Sequence, residues 1–490
     1  MAQSTPTPPA AASTSAPGGD PCAQLRTRAD ECLRQFRQGP PTPLAAYTLE
    51  QQLKAVFAEA ARALLEQEFN RCEPQDKSQA QPKVRYQGQS YRINKRTRAE
   101  VATSFGPITL WSFLYLSEED GEPGLHPLHV RLGMGAGGAT AALAERVARW
   151  AVDYSQREVR QWLAAEHGLR WSNDRLRRVL RAFQRTAVTF RSEAQQQRLL
   201  HWLDQAERSR GRHRPVLAIG RDGVMVPIRG EGYQEASAAT ASVYDRRGRR
   251  LGTVYLGQMP QAQQAALTES LTALVTAVLR QWSGPLPQLV YVTDKGRAQD
   301  DYYRRVLRRL RHPRCPGQWL VWEWVLDFFH VAGYVAKLRE ALFGSGGYGW
   351  YKRMRHWLRH RDQGVAHLLR SAVQHYNRRR LSRVARQAFW KAYRYLRRHR
   401  RWMAYARYAR LGLPLGSGVT EAACKTVFTQ RLKRSGMRWH KGSGQVIVDL
   451  RVLYLSGVWQ DVVRKDLQAR PLPERVSSQP QARGSTRKAA

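Results

Sequence analysis

Three acids far apart in the chain, Asp222, Asp294 and Glu421, have the residue types and settings that metal-assisted chemistry needs. Asp222 interrupts the apolar run 216–228, which reads as a buried strand. An ionised carboxylate there must be ion-paired, hydrogen-bonded or metal-bound, so Asp222 is either a structural partner or a ligand. Asp294 ends a second apolar run, Leu289–Thr293, and Asp327 ends a third, Trp319–Leu326, with His330 three residues on. Glu421 lies in the first turn of a helix expected from Thr420 to about Arg434. The helix dipole alone favours an acid there, and Ser417 or Thr420 can serve as cap.

Two divalent cations about 3.5–4 Å apart can drive phosphoryl transfer on nucleic acid, and such hard cations take carboxylate oxygens. Asp222, Asp294 and Glu421 form one candidate ligand set, with Asp327 competing for second place. If the Asp294 strand lies beside the Asp222 strand, Asp294 is one interstrand step of about 4.8 Å away and Asp327 is two. That favours Asp294. Asp327 and His330 then support the site, grip DNA, or in the case of Asp327 cap a helix. Beyond Glu421, the cations Lys425, Arg431, Lys433, Arg434 and Arg438, with Trp439 among them, are candidates for holding DNA.

The elements that must position these residues follow from periodicity. An α/β segment, 214–333, carries strand one (216–228), a hairpin of two strands (238–244 and 251–257) around Asp245–Gly248, and a helix at 262–282. Strand four (289–293), a basic helix (300–311) and strand five (319–326) complete it. This order gives a mixed five-stranded sheet with helices on its faces. Before it, 48–210 reads as mainly helical, beginning at Thr48 with a capping box to Gln51 and interrupted by a small β-hairpin unit between Val84 and Leu116. Two short helices at 155–165 and 173–183 fit a helix-turn-helix whose second helix would carry Arg175, Arg177, Arg178 and Arg181 into a groove of DNA. After the α/β segment, 334–410 is helical and 411–460 completes it with the Glu421 helix. The ends, 1–20 and 470–490, are rich in Pro, Ser and small or basic residues and are expected to be disordered.

Charge narrows the partners. The 490 residues carry 81 Lys and Arg against 39 Asp and Glu, a formal +42. Nucleic acid is the polyanion this balance best fits. Between Lys337 and Arg410 there are 21 basic residues and two acids, Glu340 and Asp362, with ten Trp and Tyr residues from Trp350 to Tyr408 serving as core or as stacking platforms. A solvated helix face mixes signs, and this one does not. Five scattered cysteines form no Cys-x-x-Cys pair and so indicate neither a disulfide framework nor a zinc site. No apolar run reaches the roughly 18 residues of a membrane span, and the first residues lack a signal-peptide pattern, which leads to an expected cytoplasmic location.

Five pieces in order, Gly220-Arg-Asp222-Gly-Val-Met-Val, Val292-Thr-Asp294-Lys-Gly, Leu326-Asp327-Phe-Phe-His330-Val, Gly416-Ser-Gly-Val-Thr-Glu421-Ala-Ala-Cys-Lys425 and Arg431-Leu-Lys-Arg-Ser-Gly-Met-Arg-Trp439, resemble the ISKra-type bacterial insertion-sequence transposases over roughly 84–455. The resemblance implies a DDE transposase with a ribonuclease-H-like core, interrupted by an all-α insertion at 334–410. It also implies Asp222, Asp294 and Glu421 as catalytic metal ligands for Mg²⁺ or Mn²⁺, two ions in all. Nicking of the DNA strand at the element's terminal inverted repeats and strand transfer into target DNA would follow, by a homo-oligomer that brings two ends together. The sequence departs from the family twice. Paired cysteines usual between the hairpin unit and the Pro-Leu run are missing from 114–126, which counts against a zinc site there. Lys295 stands where the family usually has Gly, placed to pair with Asp294 or to contact a DNA phosphate. Two rivals share these features: a metal-dependent nuclease without strand transfer, and a catalytically inactive DNA-binding protein descended from a transposase.

Overall fold

The computed structural model describes residues 20–119 and 121–476. Residues 1–19 and 477–490, most of the two tails expected to be disordered, lie outside the described residues. Contacts along the chain divide it into two units, one of 1–146, 156–179 and 470–490, the other of 147–155 and 180–469.

In the first unit, α1 (Pro21–Arg37) and α2 (Pro43–Arg71) each start at a proline, which fits the first helical turn because its N–H would be unpaired there. The cap of α2 is therefore Thr42, which accepts from Ala45 N, rather than the expected Thr48. An antiparallel sheet follows, β1 (Lys83–Tyr86), β2 (Gln89–Thr103) and β3 (Gly106–Ser117), and Glu474–Arg475 adds a short strand beside β1. That pairing corrects the expectation of a tail disordered from 470. Next along the chain come α3 (Pro127–Arg131), α4 (Ala141–Ala151), α5 (Gln156–His167) and α6 (Asn173–Arg208), of which α4 from residue 147 and α6 from residue 180 are counted with the second unit. The helix expected to end near Phe183 thus runs on for 36 residues, because its apolar positions continue unbroken through Leu199 and Leu203. Arg175 is tied down, with Nε donating to Gly137 O at 2.8 Å, while Arg177, Arg178 and Arg181 are exposed.

The second unit is built on a five-stranded mixed sheet. Its strands are β4 (Val216–Ile228), β5 (Gly232–Tyr244), β6 (Arg250–Gln258) and β7 (Gln288–Thr293), with β10 (Trp322–Leu326) at one edge. The spatial order is β10-β7-β4-β5-β6. Pairing is antiparallel through β4, β5 and β6 and parallel from β4 to β7 to β10. Helix α7 (Ala265–Gln281) connects β6 to β7. After β7, α8 (Arg297–Arg305) is shorter than the expected 300–311 helix, because Arg311–His312 (β8) leaves it to pair with Cys315–Trp319 (β9) as a separate hairpin. Trp319 belongs to that hairpin, so the fifth strand of the sheet begins only at Trp322.

The basic region forms five helices, α9 (Phe328–Phe343), α10 (Tyr348–His360), α11 (Gly364–Asn377), α12 (Arg383–His399) and α13 (Tyr405–Arg410). Their apolar faces join the sheet in one hydrophobic cluster that runs from Leu199 to Leu413. All ten Trp and Tyr residues noted in this region are buried in that cluster or packed against it. They are core, not open stacking platforms, because short amphipathic helices have few other apolar groups with which to bury a face. The chain then returns through α14 (Gly418–Ala423), a π-helical turn (Cys424–Thr429) and α15 (Gln430–Leu432), followed by α16 (Lys441–Leu455) and α17 (Trp459–Ala469). Among the described residues, no helix is long and apolar enough to cross a membrane.

Candidate active site

The strand register places the first two acids side by side. Ile219 pairs with Tyr291 across the parallel β4–β7 ladder, and Asp222 and Asp294 each lie three residues further along. The paired ladder ends at Ile219 and Tyr291, and Asp294 follows the last residue of β7, near enough for its charge to act on Asp222. Asp327 follows the Leu326–Thr293 pair on β10 and is one strand more distant from Asp222.

Gly220 brings in the third acid. A Cβ at this position would collide with Thr420 Oγ1, so α14 lies directly on the β4 backbone. Thr420 Oγ1 is also hydrogen-bonded to Thr240 Oγ1 on β5 at 2.8 Å. Glu421, the next residue, is held beside Asp222 by this seat. Helix α14 breaks into a π-turn one residue after Ala423, a distortion common near functional positions.

The electrostatics follow from this convergence. Burial first, with the charges of Asp294 and Glu421 adding to it, pushes the Asp222 carboxyl up to about 6 against the opposing pull of the Gly223 N–H and the Cys424 thiol. Cys424 gives its S–H to Asp222, and burial with that neighbouring charge pushes the thiol upward, so it remains protonated. Among the described residues no Lys or Arg forms an ion pair with Asp222, and the charges named with it, Asp294 and Glu421, are both acidic. Its folded value is raised, so its cost to stability is absent below about pH 4, where the carboxyl is protonated folded and unfolded alike. The cost grows as pH rises through about 6. In the presence of a chelator, Asp222→Asn should therefore melt at a higher temperature than the wild type at pH 8. The difference should vanish by about pH 4 in thermal denaturation followed by circular dichroism.

Each acid spends one oxygen locally. Asp222 Oδ1 accepts from Gly223 N at 2.8 Å, Asp294 Oδ1 from Gly296 N at 3.3 Å, and Glu421 Oε1 from Ser417 Oγ at 2.9 Å. Among the described residues, no three His, Cys, Asp or Glu side chains are drawn around one cation position, as expected where like charges turn outward onto nearby donors. The donor chemistry fits a hard divalent cation: carboxylate oxygens, no ion-paired base on Asp222 among the described residues, and a buried member whose ionised form lacks compensation.

Asp327 is committed elsewhere. It is 1 % exposed, its Oδ1 accepts from His330 N at 2.6 Å as the cap of α9, and its Oδ2 accepts from both Ser417 N and Ser417 Oγ. Its oxygens thus fasten α9 to the start of α14, and the Ser417 hydroxyl, within reach of both Asp327 Oδ2 and Glu421 Oε1, gives its one hydrogen to either carboxylate in turn. The His330 ring packs against Tyr334 and Tyr395. Tyr395, from α12, donates to the Asp294 carbonyl at 3.1 Å.

Three residues expected at the DNA surface are not there. Arg431 is 1 % exposed, with Nε on Ala151 O at 3.2 Å. It falls on the inner stripe Thr420, Ala423, Cys424, Val427, Phe428, Leu432, all buried, so helical spacing turns it inward. Trp439 is buried as well, its Nε1 donating to Leu432 O and its main chain pairing with the end of β4. Lys295 points into the core, ion-paired with Asp300 and lying 3.5 Å and 3.9 Å from the Trp324 and Trp402 ring centroids. It neither neutralises Asp294 nor faces solvent. Its φ of +72° explains why glycine suits this position, since a side chain there costs about 1 kcal/mol. Lys425, Lys433, Arg434 and Arg438 are exposed.

Four contributors to the site were not assigned that role from sequence: Gly220, Thr420, Cys424 and Tyr395. Only Gly220 carried a usable signal, a glycine inside a strand marking close backbone approach. No protein-family model matches the chain, and no curated protein matches it.

Proposed function

We propose that this chain is a DDE transposase of a bacterial insertion sequence, which binds the ends of its element, nicks the DNA strand and joins the freed 3′ end to target DNA. The observation that supports the reading is the seating of the Glu421 helix on Gly220, two residues before Asp222, with the charges of Asp294 and Glu421 both acting on the Asp222 carboxyl. The strand order supports a ribonuclease-H-like core. The five sequence pieces of the ISKra-type resemblance support the family.

In this reading Asp222, Asp294 and Glu421 hold Mg²⁺ or Mn²⁺, which when bound supplies an activated water and charge neutralisation at the scissile phosphate. The chain's own residues position the ligands. Tyr395 anchors the Asp294 main chain, Ser417 orients Glu421 from the Asp327 clamp, and the Cys424 thiol keeps one hydrogen bond on Asp222. The exposed Lys425, Lys433, Arg434 and Arg438 bind DNA phosphates and contribute salt-dependent affinity. Lys295 leaves Asp294 unneutralised, which favours an active enzyme over an inactive descendant.

The test uses DNA that flanks the reading frame, incubated with the protein and Mg²⁺. A transposase yields both nicked ends and products joined to a second DNA. Nicking without joining would instead identify the nuclease. Gly220→Ala should lower the cleavage rate about a hundredfold in a gel assay while leaving the circular dichroism spectrum intact, because a misplacement of about 1 Å costs that much.

A further inference from the structure

A groove of about 1510 Å³ is lined by α7 and α8 in the larger unit, and Arg221 forms part of its wall. Alternation along β4 sends Arg221 to the face opposite Gly220 and Asp222, where its guanidinium lies 4.4 Å from the Tyr302 ring centroid. Arg221 is 3 % exposed. One Nη donates to Gln264 Oε1 at 3.1 Å, and its Nε has no hydrogen-bond partner among the described residues. A buried guanidinium with an unused N–H and no carboxylate beside it is costly. It is also a preformed anion receptor.

The rest of the groove matches such a ligand. Arg280 and Arg297 stand exposed on α7 and α8 and enter no ion pair among the described residues. Of the lining acids, Asp301 is paired with Arg305, while Glu235, which accepts from the neutral Gln264 amide, and Glu269 stay uncompensated against Arg221, Arg280 and Arg297. Thr268 and Thr276 line one face of α7 and offer hydroxyls, whereas the Thr272 hydroxyl between them donates to Thr268 O and lies 3.1 Å from the Tyr302 hydroxyl.

We propose that this groove binds the backbone of a single nucleic-acid strand, with one phosphate reaching Arg221 and its neighbours held by Arg280 and Arg297. A single strand can feed a phosphate into a recess, whereas a duplex holds its phosphates on a rigid cylinder. The inference goes beyond the strand-transfer reading and does not depend on it.

The test is fluorescence anisotropy with labelled oligothymidylate of about ten nucleotides and a duplex of equal length, titrated with the full chain over a range of KCl. EDTA is present throughout, so the result is separate from any cleavage assay. Replacing Arg280 and Arg297 together by Gln should weaken single-strand binding about tenfold and reduce the log–log salt slope by about 1.4, two contacts at about 0.7 each. Duplex binding should change less than about twofold. As a control, Arg26→Gln with Arg37→Gln on exposed positions of α1 removes the same charge elsewhere and should leave the single-strand slope unchanged. An unaltered slope in the groove variant would overturn the proposal. So would equal losses in the control, or equal losses for duplex and single strand.

Discussion

Asp222→Asn should abolish Mg²⁺-dependent cleavage, with a loss on the order of a thousandfold or more, while the protein remains folded. The two effects separate because of the setting of this carboxylate. Its charge enters no ion pair among the described residues, and burial with the Asp294 and Glu421 charges holds it at about 6. The ionised form is a net cost to the cation-free protein and becomes useful only when a cation shares it. Asn keeps the size and the acceptor for Gly223 N, so packing survives and only the charge is lost. Glu421→Gln should behave the same way, since Glu421 is exposed and its hydrogen bond from Ser417 is one an amide oxygen can also accept. A gel assay of cleavage beside a melting curve for each variant distinguishes lost chemistry from lost folding.

Asp327→Ala should do the reverse, destabilising the protein by about 3 kcal/mol or more. Three donors converge on this buried carboxylate: His330 N at the start of α9, and the Ser417 main-chain and hydroxyl groups ahead of α14. Removing it uncaps one helix, which alone costs about 1 kcal/mol, and leaves buried donors without acceptors. Asp327→Asn should lose less stability, because one acceptor oxygen remains while the amide hydrogens face Ser417. The difference is measurable as a shift in the urea midpoint at constant slope. Activity should fall only as far as Ser417 loses its hold on Glu421.

The sheet was legible in the sequence because each strand is an apolar run ended by turn residues, but the adjacency of the Asp222 and Asp294 strands was only a condition there and comes from the β4–β7 pairing. Strand ends were harder to read. Trp319 and Trp322 lie in one apolar stretch, yet a local hairpin with Arg311 claims the first. The helical character of the stretch up to about 210 was legible, but not that 173–208 is one continuous helix, since no Gly or Pro marks a boundary there in either sense. At the site, the acids themselves stand out as polar residues in apolar surroundings, but their supports do not. The contact of Gly220 with Thr420 and the reach of Tyr395 to Asp294 join residues at least 100 positions apart, and nothing local announces them. Arg431 shows the opposite error: its charge suggested a phosphate contact, although its place on the buried stripe of α14 and the following turns was readable from the spacing of Ala423, Cys424, Val427 and Phe428.

The central claim is that Asp222, Asp294 and Glu421 share a divalent cation. Isothermal titration of the DNA-free protein with Mn²⁺ tests it most directly. Wild-type protein should give a saturable heat of binding that disappears in Asp222→Asn and is weakened at least tenfold in Asp294→Asn and Glu421→Gln. Binding should persist in any Asp327→Asn protein that remains folded. Unchanged Mn²⁺ binding by the Asp222→Asn protein, or loss of binding on replacing Asp327 alone with the fold intact, would contradict it.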